Sequence, residues 1–403
     1  PRWPRALLRR ALLLGAAALA LGAAAFAGYQ PLSALSRNHH ELRYQVAPAD
    51  WITSLARVLA SDDSHPSKQK TAIGLDARQA GGPLASGRRP RLLVIVLGET
   101  ARAADWGLDG YARDTSPELR RIGVLNFPQA TSCGTATEVS VPCMFSPWGR
   151  HAYDEARIRS HQSLLNVLDH AGIGVTWRDN QAGCKGVCEG LAFQSTTDDH
   201  DPAYCDGHRC LDGILAKDLA STLRAGPAGG DRVVVLHMLG EHGPAYYQRY
   251  PKPFERFTPT CQTPDLGQCP REQIVNAYDN AMGYSDHVVA QVIAWLAGRR
   301  DYDSVLWYVS DHGESLGEKG LFLHGVPYAI APAEQTHVPM LMWFGPGSAR
   351  ALGLDLPCLA RRAQQPSGHD NLFPTVLGLF DVHTALYDPT RDLLAGCRAS
   401  MQS

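Results

Sequence analysis

Five short apolar runs set what this 403-residue chain can fold into: RLLVIVLG from Arg91, GIGVTW from Gly172, RVVVLHMLG from Arg232, DSVLWYVS from Asp303 and HVPMLMWF from His337. Each has the length of a strand, and none alternates polar with apolar residues as a half-exposed strand does. Longer stretches of helical period, such as AYDNAMGYSDHVVAQVIAWLAG, lie between them. Strands buried on both faces and separated by helices form a mainly parallel sheet covered on each side. The expected fold is an α/β chain, an α/β/α sandwich occupying residues 91–403, without internal repeats.

In such sheets ligands bind beyond the carboxyl ends of the strands. Three of the runs end in residues with chemistry: VLGET delivers Glu99, HMLGEHGP delivers Glu241 and His242, and YVSDHGES delivers Asp311 and His312. Carboxylate and imidazole groups are the usual ligands of a catalytic zinc that keeps one position open. A capping acid or a core histidine would explain any one of these residues alone, but recurrence at three strand ends favours a metal site. Gly98 and Gly313 beside them allow close approach of backbone and ligand. The loop continues through Gly317 and Gly320 to His324, so His242 and His324 can flank the same spot. There they would hold a second metal, orient a phosphate oxygen or protonate a leaving group. His39, His151 and His208 read as ordinary surface residues.

A nucleophile is available in TSCGTATEVSVPC, Thr131 to Cys143, where Ser132, Thr135, Thr137 and Ser140 are all candidates. A hydroxyl attacks at neutral pH only once a base or a metal strips its proton. The competing reading is a Ser/Thr-rich turn whose hydroxyls cap a helix.

The N-terminal segment RALLRRALLLGAAALALGAAAFAGYQPL places arginines ahead of about twenty uncharged residues, which suits a transmembrane helix over residues 1–30. A signal peptide is the alternative, and both readings export the rest of the chain. The first residue is Pro1, consistent with a piece of a longer protein. Residues 31–90 read as a juxtamembrane segment, NHHELRYQVAPADWITSLARVL, followed by a Ser-, Gly- and Pro-rich linker from Ser61 to Pro90. A formal charge of −2 gives no footprint for nucleic acid. Ten cysteines agree with an oxidising compartment.

The stretches VLGETARAADWGLDGYARDTSPEL, FPQATSCGTATEVSVPCMFS, HGPAYYQRYPKPFERFTP and VSDHGESLGEKGLFLHGVPYAIAP closely resemble the phosphoethanolamine transferases that modify lipid A, members of the alkaline phosphatase and sulfatase superfamily. The resemblance spans nearly the whole chain. It implies a zinc ion, with a second during turnover, held by Glu99, Thr137, Asp311 and His312. It selects Thr137, the second threonine of CGTAT, as nucleophile, and implies that Lys185 of GCKGVC, His242 and His324 line the phosphate site. Glu241 stands where a smaller polar residue is found in some relatives, which puts the local charge and any second metal in doubt. The implied donor is phosphatidylethanolamine and the implied acceptor lipid A. A core sugar of lipopolysaccharide and a periplasmic glucan remain as alternative acceptors. The expected location is the bacterial inner membrane with a monomeric catalytic domain in the periplasm.

A metal-dependent phosphodiesterase or sulfatase could use the same site, although a sulfatase would need a C/S-x-P-x-R setting that CGTAT lacks. A non-catalytic, membrane-tethered zinc protein is the remaining reading. The short cysteine spacings resemble a zinc knuckle, but export favours disulfides: Cys133 with Cys143, Cys184 with Cys188, Cys205 with Cys210, Cys261 with Cys269, and Cys358 with Cys397.

Overall fold

The run beginning at Arg91 becomes the middle strand of seven. The protein is described by a computed structural model covering residues 3–28, 51, 70–80, 87–196, 199–224 and 230–398. Its main sheet comprises β1 (Arg91–Gly98), β2 (Leu125–Asn126), β3 (Gly174–Asp179), β4 (Ala192–Ser195), β5 (Arg232–His237), β6 (Asp303–Ser310) and β7 (Met340–Phe344), in the order β2-β7-β6-β1-β5-β3-β4. Every residue of β1, β3, β5 and β6 is buried, which is why these strands read as continuous apolar runs.

Strands β4, β3, β5, β1 and β6 are parallel to their neighbours. Strand β7 departs from a parallel reading of HVPMLMWF: it runs antiparallel to β6, pairing Met340 with Val309, and β2 runs antiparallel to β7. The chain leaves β6 at the carboxyl edge and re-enters β7 from that same edge, without the crossover that a parallel pair requires. The sheet is therefore mixed, with a parallel centre.

Side chains alternate across β1. Leu93, Ile95 and Leu97 pack on one face with Val141, Leu165, Val167, Phe373 and Val376, from α2 (Thr137–Met144), α3 (Leu164–His170) and a later helix, Leu372–Leu379. Leu92, Val94 and Val96 face the other way, onto α4 (Arg271–Ala297), whose Ile274, Tyr278, Ala281, Val288, Val292 and Leu296 recur at helical spacing. The helix Leu372–Leu379 is α5. Each fully buried aliphatic side chain contributes about 1.5–3 kcal/mol, so both layers are needed to cover the sheet.

Helix α1 (Trp3–Ala27) contains a span, Ala6–Ala27, of mean hydropathy 1.8 with none of it buried, long and apolar enough to cross a membrane. The juxtamembrane reading and His39 fall almost wholly outside the described residues. The linker reading fails for residues 70–80. Arg78–Gln79 pairs with Val382–His383, Ala77 is fully buried, and Gln79 donates to Asp231. Pairing with residues some three hundred positions away leaves no local period to read.

Disulfides join Cys133–Cys143, Cys184–Cys188, Cys205–Cys210, Cys261–Cys269 and Cys358–Cys397.

Candidate metal centre

Strands β1 and β6 end in register, with Gly98 opposite Ser310. The residues that follow, Glu99 and the pair Asp311–His312, are therefore thrown together at the carboxyl edge. All three are completely buried, and one ligand atom from each lies within 4.8 Å of the others. Gly240 makes room here: it has φ +51°, and a Cβ would fall 2.4 Å from the Glu99 carbonyl oxygen.

The donor set fits a divalent cation. His312 donates from Nδ1 to the Gly313 carbonyl at 2.9 Å, which leaves Nε2 facing Glu99 Oε1 at 3.5 Å and Asp311 Oδ2 at 3.4 Å. Asp311 Oδ1 accepts from the Thr100 and His312 amides, while Oδ2 is buried with no hydrogen-bond partner. Two carboxylates and an imidazole lone pair converge, an arrangement that a cation relieves. Without a cation, protons are favoured in its place among these groups. Burial and the neighbouring Glu99 push Asp311 up to about 7. Burial would lower His312, but Asp311 and Glu99 outweigh it and raise that group to about 9.

Thr137 opens α2, with Ala136 in extended conformation before it. Its Oγ1 lies 3.1 and 3.0 Å from the Glu99 oxygens and 3.4 Å from His312 Nε2. The neighbouring hydroxyls are spent on backbone carbonyls: Ser132 on Gly134, Thr135 on Val326 and Ser140 on Asp311. Thr137 alone of these four meets the carboxylate. The Cys133–Cys143 bridge ties the turn before α2 to that helix.

The other candidates lie around this centre. Lys185, at φ +52° inside the Cys184–Cys188 loop, brings Nζ to 2.9 Å from Glu138, the residue after Thr137. The His324 ring sits 4.2 Å from that of His312, and His242 is 5.9 Å from His324. Burial lowers His242 to about 4, so it is a neutral imidazole at pH 7. Glu241 does not join the cluster. Its side chain is fully buried and accepts from Ser285 of α4 at 2.6 Å, and burial pushes it up to about 8. His151 and His208 are exposed.

The sulfatase family profile matches residues 91–382, and the profile of the phosphoethanolamine transferases EptA and EptB matches residues 1–62. Phosphoethanolamine transferase EptA of Salmonella typhimurium is 41% identical over 99% of this chain and 72% of its own length. The chain belongs to the EptA family of phosphoethanolamine transferases. Phosphatidylethanolamine transferase Mcr-1 of Escherichia coli is 39% identical over 95% of the chain and 70% of its own length. The integral membrane lipooligosaccharide phosphoethanolamine transferase A of Neisseria meningitidis superposes with a TM-score of 0.82 at 41% identity, covering 98% of this chain and 74% of that one. As in its EptA relatives, α1 belongs to the inner-membrane part and the sandwich to the periplasmic catalytic domain.

Three residues of this EptA-family site escaped the sequence reading. Gln181 donates from Nε2 to Glu99 Oε2 at 2.7 Å. Glu314 accepts from Tyr246 at 2.6 Å and pairs with His324 Nδ1 at 2.7 Å. Asp179, at the end of β3, pairs with the buried His237 Nδ1 at 2.8 Å and accepts from Trp177. Glu314 lies inside the SDHGES stretch and could have been found there; Gln181 and Asp179 carry no motif of their own.

Proposed function

We propose that this protein takes phosphoethanolamine from phosphatidylethanolamine and passes it to a phosphate of lipid A through a covalent adduct on Thr137, with zinc held by Glu99, Thr137, Asp311 and His312. The position of Thr137 Oγ1, within 3.1 Å of both Glu99 oxygens at the first turn of α2, carries this reading. The donor is the one in the name of Mcr-1. The Neisseria relative is named for lipooligosaccharide, the class of glycolipid whose lipid A portion bears phosphates.

A bound divalent cation supplies Lewis acidity to the hydroxyl and to a phosphate oxygen. Glu99 accepts a hydrogen bond from the Thr137 hydroxyl, fixing its rotamer and taking its proton as the oxygen attacks, and Gln181 holds Glu99 in turn. In the first half-reaction the bond from Thr137 oxygen to phosphorus forms and the bond from phosphorus to diacylglycerol oxygen breaks. The departing oxygen takes a proton from His324, whose tautomer Glu314 fixes, while the neutral His242 lies beside it. Lys185 offsets charge on the phosphate oxygens from its disulfide-closed loop. In the second half an acceptor phosphate oxygen attacks the same phosphorus and Thr137 leaves, taking its proton back from Glu99, while the proton shed by the acceptor phosphate restores His324. Ping-pong kinetics follow. Tethering by α1 keeps the domain at the surface where both lipids reside.

Incubation with phosphatidylethanolamine labelled in its ethanolamine tests this. Wild-type protein gives a mass adduct on Thr137 and labelled lipid A. Thr137→Ala gives neither while still binding zinc. Labelled free phosphoethanolamine without labelled lipid A would identify a hydrolase, and turnover by Thr137→Ala would remove the nucleophile.

A further inference from the structure

We propose that the cavity beside His242 and His324 is the acceptor subsite, binding a phosphate monoester through Arg249 and Arg209. This deepens the proposed function and rests on it. The cavity holds about 570 Å³, and its walls include His242, His324, Tyr247, Gln248, Arg209 and Arg249. Among the described residues, no acidic one lines it.

Arg249 is the decisive feature. It is only 8% exposed and donates Nε to the His242 carbonyl at 2.7 Å. Arg249 lines the cavity, and its terminal nitrogens form no hydrogen bond among the described residues. The nearby buried carboxylate, Asp212, spends its oxygens on Asn180 and on the amides of Leu239 and Gly240. A buried guanidinium without a contacting counter-ion is costly unless an anion arrives to meet it. Burial and the like charge of Arg209 lower Arg249 to about 10, so it stays charged at neutral pH.

Two disulfide-closed loops form the rim. Arg209 stands in the Cys205–Cys210 loop, where Asp206 Oδ1 accepts from the Arg209 amide at 2.9 Å and the Asp206 amide donates to the Arg209 carbonyl at 3.1 Å. Pro264 enters from the Cys261–Cys269 loop. Arg209 is solvent-exposed, yet its backbone is held in place, which reduces the ordering cost of binding.

Counting charges assigns the cavity to the acceptor. The donor brings one phosphate, which becomes the transferred group, and its departing diacylglycerol is neutral. A phosphate monoester acceptor brings a second anion of about −1.5 to −2 charges. Close contacts connect the two places: Thr137 Oγ1 is 3.4 Å from His312, the His312 ring 4.2 Å from His324, and the His324 ring 5.9 Å from His242, whose carbonyl holds Arg249. A cationic cluster one step beyond the transferred phosphate therefore serves the second anion, and paired guanidinium groups suit a phosphate's geometry.

The test uses the full chain in detergent micelles with zinc, phosphatidylethanolamine as donor and glucosamine 1-phosphate as soluble acceptor. Arg209→Ala should raise the acceptor KM about tenfold, the effect of one charge-assisted contact, while the single-turnover burst of diacylglycerol changes less than twofold. Arg249→Lys should raise the same KM at least as much, and inorganic phosphate should compete with the acceptor in the wild type but weakly in Arg209→Ala. Because Arg209 is exposed, its variant reports even where the Arg249 variant misfolds. An unchanged acceptor KM in Arg209→Ala, or a burst that falls in step with transfer, overturns the subsite. Absence of any burst from the wild type instead overturns the transferase reading beneath it.

Discussion

Thr137 Oγ1 lies 3.0 Å from Glu99 Oε2 and 3.1 Å from Oε1, so a carboxylate at the end of β1 holds the hydroxyl that opens α2. Glu99→Gln preserves the shape but removes the charge and one acceptor oxygen. Bound zinc should fall below stoichiometric levels, and transfer should drop about 10³-fold, the scale of losing a principal electrostatic group. Elemental analysis and steady-state assay check both. A variant with full zinc and normal turnover would exclude Glu99 from the site.

Glu314 acts through His324, which it grips at Nδ1 with a 2.7 Å contact while Tyr246 holds its other oxygen. Glu314→Gln should lower kcat about 10–100-fold, as loss of a residue that orients a site histidine commonly does, without changing zinc content. Glu314→Asp, which keeps an acceptor for His324 Nδ1, should recover part of the rate. A loss of kcat that Glu314→Asp does not recover would reduce Glu314 to a packing residue.

Asp231 gathers the opposite edge of the sheet. It is 2% exposed and accepts from the Arg91 amide, from both terminal nitrogens of Arg88 and from Gln79. Asp231→Ala leaves these donors without their acceptor and should cost about 2–4 kcal/mol in denaturant unfolding. The eight residues of β1 separate this edge from Glu99, a distance of about 25 Å, so transfer at 25 °C should be nearly normal. A comparable loss of specific activity in the folded variant would show that the two edges are coupled.

The central strands were legible because burial on both faces writes itself into sequence as unbroken apolar runs. Their end residues Glu99, Asp311 and His312 were legible because the ends of parallel strands share an edge. The direction of β7 was not, since Met340–Phe344 has the same apolar pattern in either orientation. Position after a strand also fails to say where a side chain points: Glu241 follows β5 as Glu99 follows β1, yet it turns inward to Ser285. Gln181 reaches Glu99 across 82 positions, and no local pattern encodes that approach.

Removal of metal tests the centre as a whole. Asp311 Oδ2 is buried without a hydrogen-bond partner, and His312 Nε2 faces it and Glu99 at 3.4 and 3.5 Å, so the three residues are poised for a cation. Exhaustive chelation should abolish formation of the Thr137 adduct, and stoichiometric zinc should restore it. The fold should survive, because two apolar layers and five disulfides hold it without the ion. Re-adding zinc at a hundred times its dissociation constant should stabilise the protein by about 2.7 kcal/mol, visible as a rise in Tm. Undiminished transfer by a chelated, metal-free sample would sink the assignment of Glu99, Asp311 and His312 as ligands, whereas loss of transfer accompanied by unfolding would show that the ion holds the structure and not only the hydroxyl.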